Sequence, residues 1–215
     1  MNKTGWIIFS AVIVLIFGGL IAMNKANQAS MPQSNGSNNV YGNVDSKVTL
    51  TEFVDFQCEA CYAYYPTVKE VKEKYKDTVK FQVRHFPISN SHKFARIAAS
   101  YAEGAAKQGK FWEMHDKILE GQKQWQVEAD PTPTFDGYAK EIGLDMAKLE
   151  TDRTSDEVRA IIAADLKAVQ ELGGNGTPTF VLNGKRIEKI DNSVEAFSKL
   201  IDDALNEAGS GDTKN

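Results

Sequence analysis

Two hydrophobic periods run through this chain, one of two residues and one of three to four. Together they predict its order of elements. Val48–Phe56 (VTLTEFVDF) is rich in β-branched and aromatic residues and predicts a strand. Apolar residues then fall at Cys61, Tyr64, Tyr65, Val68, Val71 and Tyr75, one face of an amphipathic helix. Pro66 removes one backbone donor and should kink that helix without ending it. Its Lys/Glu pattern over 69–76 reads as a solvated face. Lys80–Phe86 (KFQVRHF) alternates as a second strand, stopped by Pro87.

From His92 to about Leu172 the pattern is helical. Gln122–Thr134 reads as a loop, and helices are expected over Phe135–Ile142, Asp145–Glu150 and Ser155–Leu172. Asp145 and Ser155 suit N-terminal caps, and Gly143 and Gly173 suit stops. Thr177–Leu182 predicts a strand, Asn183-Gly184 a hairpin turn, and Lys185–Ile190 the returning strand. Ser193–Leu205 closes as a helix, and 209–215 reads as a frayed tail. Without the helical block the order is close to β-α-β-β-β-α, a thioredoxin-like α/β core carrying a helical insertion at about 92–172.

At the other end, Gly5–Met23 (GWIIFSAVIVLIFGGLIAM) is an uncharged run of 19 residues. As a helix it would extend roughly 28 Å, close to the hydrocarbon thickness of a bilayer. A cleaved signal peptide has a shorter apolar region and ends in a small-x-small site; no Ala-x-Ala appears downstream, and Asn24-Lys-Ala26 and Asn27-Gln-Ala29 match poorly. An uncleaved transmembrane anchor over 1–23 is therefore favoured, and either reading exports the rest. Residues 24–40, rich in Asn, Ser and Gln, read as a flexible linker to a domain over 41–208.

Composition narrows the chemistry. The net charge of −4, with both signs interspersed, leaves no basic footprint for nucleic acid. The only two cysteines are Cys58 and Cys61. A bridge across so short a spacing would staple almost nothing, so their value is chemical. Cys58 falls where the strand ends and the helix begins. There unpaired N–H groups and the helix dipole favour a thiolate. Zinc is the competing use, but a structural site wants about four ligands, and the remaining His85, His92 and His115 are scattered. No metal or cofactor is called for. Each histidine reads first as a core or capping residue; His92, near a helix start, is also a candidate for a role at the site. Asp55 reads as a strand-end cap or a residue that shapes the local potential.

The chain resembles the DsbA-like family of exported thiol–disulfide oxidoreductases, especially membrane-tethered bacterial members. The residues that carry the resemblance are Glu52–Cys61 (EFVDFQCEAC), Arg84–Pro87 (RHFP), Gly109–Asp116 (GKFWEMHD), Gly176–Val181 (GTPTFV) and the Asn183-Gly184 hairpin. They spread over roughly Val44 to Leu205. The resemblance implies that Cys58 is the exposed nucleophile and Cys61 the buried resolving cysteine. Glu52 would assist proton transfer from Cys61. Pro178 would follow a cis bond and face the cysteines, leaving a backbone edge for substrate, and Thr177 would tune the site. Between the cysteines stands Glu-Ala, where the best-known DsbA pattern has Pro-His. A Glu beside Cys58 disfavours the thiolate by like charge.

The expected activity is disulfide formation in secreted or cell-envelope proteins. Its partners would be reduced client proteins and a membrane redox protein that resets the cysteine pair. The expected place is the cell membrane, single-pass, with the catalytic domain on the extracytoplasmic side. The alternatives are a reductase or isomerase of the same compartment, or a non-catalytic chaperone module on the same frame.

Overall fold

A computed structural model describes residues 32–210. The predicted membrane anchor and the linker as far as residue 31 lie outside them, as do residues 211–215. Among the described residues no helix is long and apolar enough to cross a membrane.

The frame is a five-stranded mixed sheet of β1 (Asn39–Gly42), β2 (Thr49–Val54), β3 (Lys80–His85), β4 (Thr179–Leu182) and β5 (Lys185–Arg186). Its spatial order is β1-β3-β2-β4-β5. Only β2 and β3 run parallel, with Glu52 opposite Val83; β4 lies antiparallel on the other side of β2, with Phe180 opposite Glu52. The parallel pair is joined by α1 (Glu59–Tyr75), the crossover that such a pair requires.

Six helices follow β3: α2 (Ala95–Ala106), α3 (Phe111–Glu120), α4 (Gln122–Trp125), α5 (Thr132–Glu141), α6 (Met146–Arg153) and α7 (Asp156–Glu171). The last helix, α8, covers Val194–Ser210.

Strand periodicity sorts the core into layers. Leu50, Phe81 and Phe180 pack with Val71 from α1 and Phe197 and Ile201 from α8. Phe53 and Val181 point the other way and pack with Val169 of α7. The helical block has its own core of Tyr101, Met114, Ile118, Trp125 and Phe135, which reaches Phe56 and Cys61. The cysteine pair therefore sits where sheet and helical block meet.

Several expectations hold in detail. Helix α1 continues through Pro66. Asp145 and Ser155 cap α6 and α7 by accepting from Lys148 and Val158 N–H. Gly143 and Gly173 have positive φ at helix ends.

Others need correction. The predicted linker over 24–40 overlaps folded chain, because Asn39 and Val40 already belong to β1 and Ser37 is buried. That segment is polar, and it is held by hydrogen bonds rather than by burying oil. Ser37 N–H donates to Asp165 (2.9 Å), Ser37 Oγ to Glu103 (2.9 Å), Asn39 Nδ2 to Glu103 (2.6 Å) and Arg84 to the Asn35 carbonyl (3.0 Å). Gly36 (φ +90°) lies so close that a Cβ there would sit 2.0 Å from Arg84 Nη2.

The loop expected over Gln122–Thr134 holds α4, with Trp125 fully buried. It ends early because Pro133 suits the first turn of α5. The returning strand is only two residues long: Ile187 N–H donates to Phe180, and β5 ends before it. Helix α8 extends through Ser210, past the predicted start of the tail.

Candidate active site

Cys58 is the N-cap of α1, with extended backbone (φ −74°, ψ 125°). The loop before it is clamped from several sides. The Asp55 carbonyl accepts Cys58 N–H (3.0 Å), and the Asp55 carboxylate accepts Gln57 N–H (2.8 Å) and Ile88 N–H (2.7 Å) and bonds His92 Nδ1 (2.8 Å). Gln57 in turn accepts Phe94 N–H (2.7 Å). From the helical block Gln122 Nε2 donates to the Phe56 and Cys58 carbonyls (2.8 and 2.9 Å). Asp55 therefore does more than cap a strand: it joins the cysteine loop to the turn after β3. His92 touches the site through Asp55.

The Thr177–Pro178 peptide bond is cis. Cys58 Sγ lies 3.4 Å from the Thr177 carbonyl oxygen, so the loop before β4 faces the cysteine pair. Thr177 Oγ1 is buried without a hydrogen-bond partner.

The two thiols meet opposite electrostatics. The Cys58 pKa is lowered to about 5. A hydrogen bond from the Cys61 thiol is the largest cause, followed, against the cost of burial, by Thr177 and the N–H groups of Cys61 and Ala60. The like charge of Glu59 does not reverse this, and its side chain is exposed. Cys61 is 1% exposed, and burial pushes its thiol well above the ordinary range, with the Cys58 hydrogen bond and the Glu52 charge adding to it.

Glu52 on β2 is itself buried. That lifts its carboxyl to about 7, against the pull of Lys72. The structure thus brings together all five residues singled out in the sequence: Cys58, Cys61, Glu52, Thr177 and Pro178.

A family model described as Thioredoxin matches residues 34–203. The chain belongs to that family. The solved structures of similar fold include a thioredoxin-like oxidoreductase from Silicibacter pomeroyi DSS-3, 27% identical, TM-score 0.66, covering 81% of this chain and 94% of that one. They also include alpha-DsbA1 from Wolbachia pipientis (18% identical, TM-score 0.70, 86% and 98% covered) and oxidised BdbD from Bacillus subtilis (24%, 0.64, 78% and 92%). The last two speak to fold alone, and at that level the DsbA-like resemblance is borne out.

Among curated relatives, Na(+)/H(+) antiporter NhaA 3 of Salinispora tropica is 34% identical over 171 residues, which make up 80% of this chain and 25% of the relative. The NhaA antiporter of Herminiimonas arsenicoxydans is 32% identical over 148 residues, 69% of this chain and 22% of the relative. The chain spans about a quarter of the length of these curated relatives, so their name describes much larger proteins.

Two residues of this thioredoxin-family site escaped the sequence reading. Lys72, assigned to a solvated helix face, is only 6% exposed. Its ammonium lies 4.0 Å from the Trp112 ring centroid and 4.6 Å from that of Tyr41, cation–π contacts that make burial tolerable. Neither ring is close in sequence, so only the register of β1 and α3 against α1 reveals the site. His115 is the other. It reads as a core or capping residue, and it is indeed buried, but it shares the lining of a small cavity with Glu52.

Proposed function

We propose that the chain is an exported thiol–disulfide oxidoreductase that forms disulfide bonds in secreted or cell-envelope proteins. Cys58 is the exchanging cysteine and Cys61 the resolving one. The observation that carries this reading is the split between the thiols, one lowered to about 5 and its neighbour raised by burial.

In the oxidising direction a client thiolate attacks Cys58 Sγ of the Cys58–Cys61 disulfide. Cys61 leaves and, with its high pKa, takes up a proton; Glu52 is the adjacent donor. The client's second thiolate then attacks its own mixed-disulfide sulfur and expels Cys58. A stable Cys58 thiolate is a good leaving group, which favours transfer of the disulfide to the client. A membrane redox partner must then take two electrons from the pair. Thr177 and Pro178 form the client-facing wall, beside a hollow lined by Tyr64, Phe180 and Ile190.

Residues 1–23 serve as a single-pass anchor in the cell membrane. They hold the catalytic domain on the extracytoplasmic side, and the tether after them ends where the folded chain begins at Ser34. The uncharged Gly5–Met23 run supports this.

The test is the reduction potential of the pair in glutathione buffers. A value near or above about −180 mV is expected for a dithiol oxidase; one near or below about −250 mV would replace this reading with a reductase. As a companion measurement, the ultraviolet absorbance of the Cys58 thiolate should titrate near pH 5 and vanish in Cys58→Ser. A midpoint near the ordinary thiol value of about 8.5 would remove the reading's main support.

A further inference from the structure

Between β2, β3, α1 and α3 lies a small cavity of about 20 Å³, lined by Glu52, Lys72 and His115 among mostly apolar side chains. That volume suits a single water molecule, which needs two to four polar partners. Glu52 and Lys72 offer two. His115 offers the third: its ring is buried, and its Nε2 has no hydrogen-bond partner.

The other ring nitrogen, Nδ1, lies 2.9 Å from Asp116 Oδ1. Burial alone would lift the Asp116 carboxyl, but the His115 hydrogen bond and the charges of Lys72 and Lys69 hold it well below its ordinary value. An ionised carboxylate can only accept, so Nδ1 carries the hydrogen. Burial lowers the His115 pKa in turn, helped by Lys72 and by His85 and opposed by Asp116. The ring is then neutral, and Nε2 is a bare lone pair. Such a site leaves a base with nothing to bind except what enters the cavity. Asp116 is one-quarter exposed at its far side, where Oδ2 lies 3.3 Å from Lys69.

We propose that Glu52, one bridging water and His115 Nε2 form a proton relay that links the buried Cys61 thiol to the Asp116 carboxylate at the surface. The proposal rests on the thiol–disulfide reading above and assigns its proton path. When the cysteine pair is reset, Cys58 is in a mixed disulfide with the oxidising partner and Cys61 must attack it. The Cys61 S–H bond breaks, Glu52 takes the proton, and the water passes a proton on to Nε2. The ring releases its Nδ1 proton through Asp116 to solvent. A new Cys58–Cys61 bond forms, and the partner's thiolate leaves with the electron pair. During client oxidation Cys61 leaves as a thiolate and the same path delivers one proton inward. The ring is thereby restored to its starting tautomer, and no net proton accumulates. Lys72 sits over Trp112, and its charge disfavours the imidazolium at rest.

The test uses the full chain in detergent, with a mixed disulfide of Cys58 and glutathione resolved by Cys61 in a single turnover. His115→Phe keeps a ring among Phe56, Phe111 and Trp112 but removes both nitrogens. It should slow resolution by about tenfold or more, as loss of a proton-transfer group does. It should also raise the solvent deuterium isotope effect and flatten the pH profile. Alkylation of Cys58 serves as the internal reference. Asp116→Asn, which leaves the ring in place but unlocks its tautomer, should give a smaller slowing in the same sense.

Nitrogen NMR of the reduced wild type, which has only three histidines to assign, should show His115 as the Nδ1–H tautomer. Unchanged resolution kinetics in Asp116→Asn and in folded His115→Phe would overturn the relay and leave the oxidoreductase reading standing. So would an Nε2–H tautomer. A wild type that exchanges no disulfide at all would overturn that reading and the relay with it.

Discussion

His85 and His115 flank the same two rings, yet their surroundings drive them in opposite directions. Their ring centroids lie 5.9 and 5.6 Å from that of Phe56, and 6.2 and 5.7 Å from that of Phe111. Both are buried, both bond a carboxylate, and each leaves one ring nitrogen without a partner. Burial opposes the charged form in both.

At His85 the hydrogen bond to Glu103 (2.7 Å) and the charges of Glu103 and Asp165 overcome burial and raise the pKa. At His115 burial wins, with Lys72 and His85 on its side, and the pKa falls. Glu103 also accepts from Ser37 and Asn39, so the His85 pair is tied into a network that fixes backbone. The His115 pair instead opens onto a cavity. A histidine bonded to a carboxylate makes a fastening in one place and a proton carrier in the other. The sign of the neighbouring charges decides which.

The strongest way to break this contrast is at the fastening. Glu103→Ala removes the partner of a buried imidazolium and should cost about 3–5 kcal/mol in denaturant unfolding, the usual penalty for breaking a buried pair from one side. A loss below about 1 kcal/mol, in the range of an exposed ion pair, would mean that His85 is neutral and the two sites are alike.

Glu52→Gln sharpens the other side. A folded pKa raised from 4.5 to about 7 means a contribution fully present below the ordinary value and lost as pH rises through about 7. The variant has no such loss, so it should gain on wild type between about pH 4.5 and 7. At about 1.36 kcal/mol for each step of one in pKa, the gain across that window should be at most about 3 kcal/mol. Equal pH slopes for the two proteins would show that Glu52 is solvated.

The smallest effect compares the histidines directly. His85, with its raised pKa, contributes stability that is full below about 6.5 and lost as pH rises through its folded value. His115, with its lowered pKa, contributes stability present above about 6.5 and lost as pH falls. Replacing each in turn by Phe should therefore change the pH slope of unfolding in opposite senses, by at most about 1.4 kcal/mol per pH unit. Slopes of the same sign would dissolve the comparison.

How much of this was legible in the sequence depends on distance along the chain. The cysteine spacing, the strand before it and the helix after it are local, and so were readable from periodicity. Glu52 was found by resemblance, since nothing local says that a Glu in a strand faces inward. Lys72 and His115 belong to patterns whose ordinary meaning is a solvated face and a core stripe. Their special meaning comes from Tyr41, Trp112 and Glu52, which reach them only through tertiary packing. Strand β1 was missed for a related reason. Four residues after a polar run carry too little period to detect, and its support comes from pairing with β3 and from Glu103, 64 residues from Asn39.

That support also determines where the chain can be cut. Ser37 and Asn39 look expendable by composition, but they donate to two buried carboxylates, Glu103 and Asp165, and so tie the start of the chain to the network that His85 and Arg84 also join. A soluble fragment beginning at Tyr41 would carry the whole cysteine site and still lack two of the partners that hold its helical block to the sheet. One beginning before Ser34 would keep them. For anyone who trims the chain ahead of this domain, whether by cloning or by protease, the safe boundary lies before Ser34.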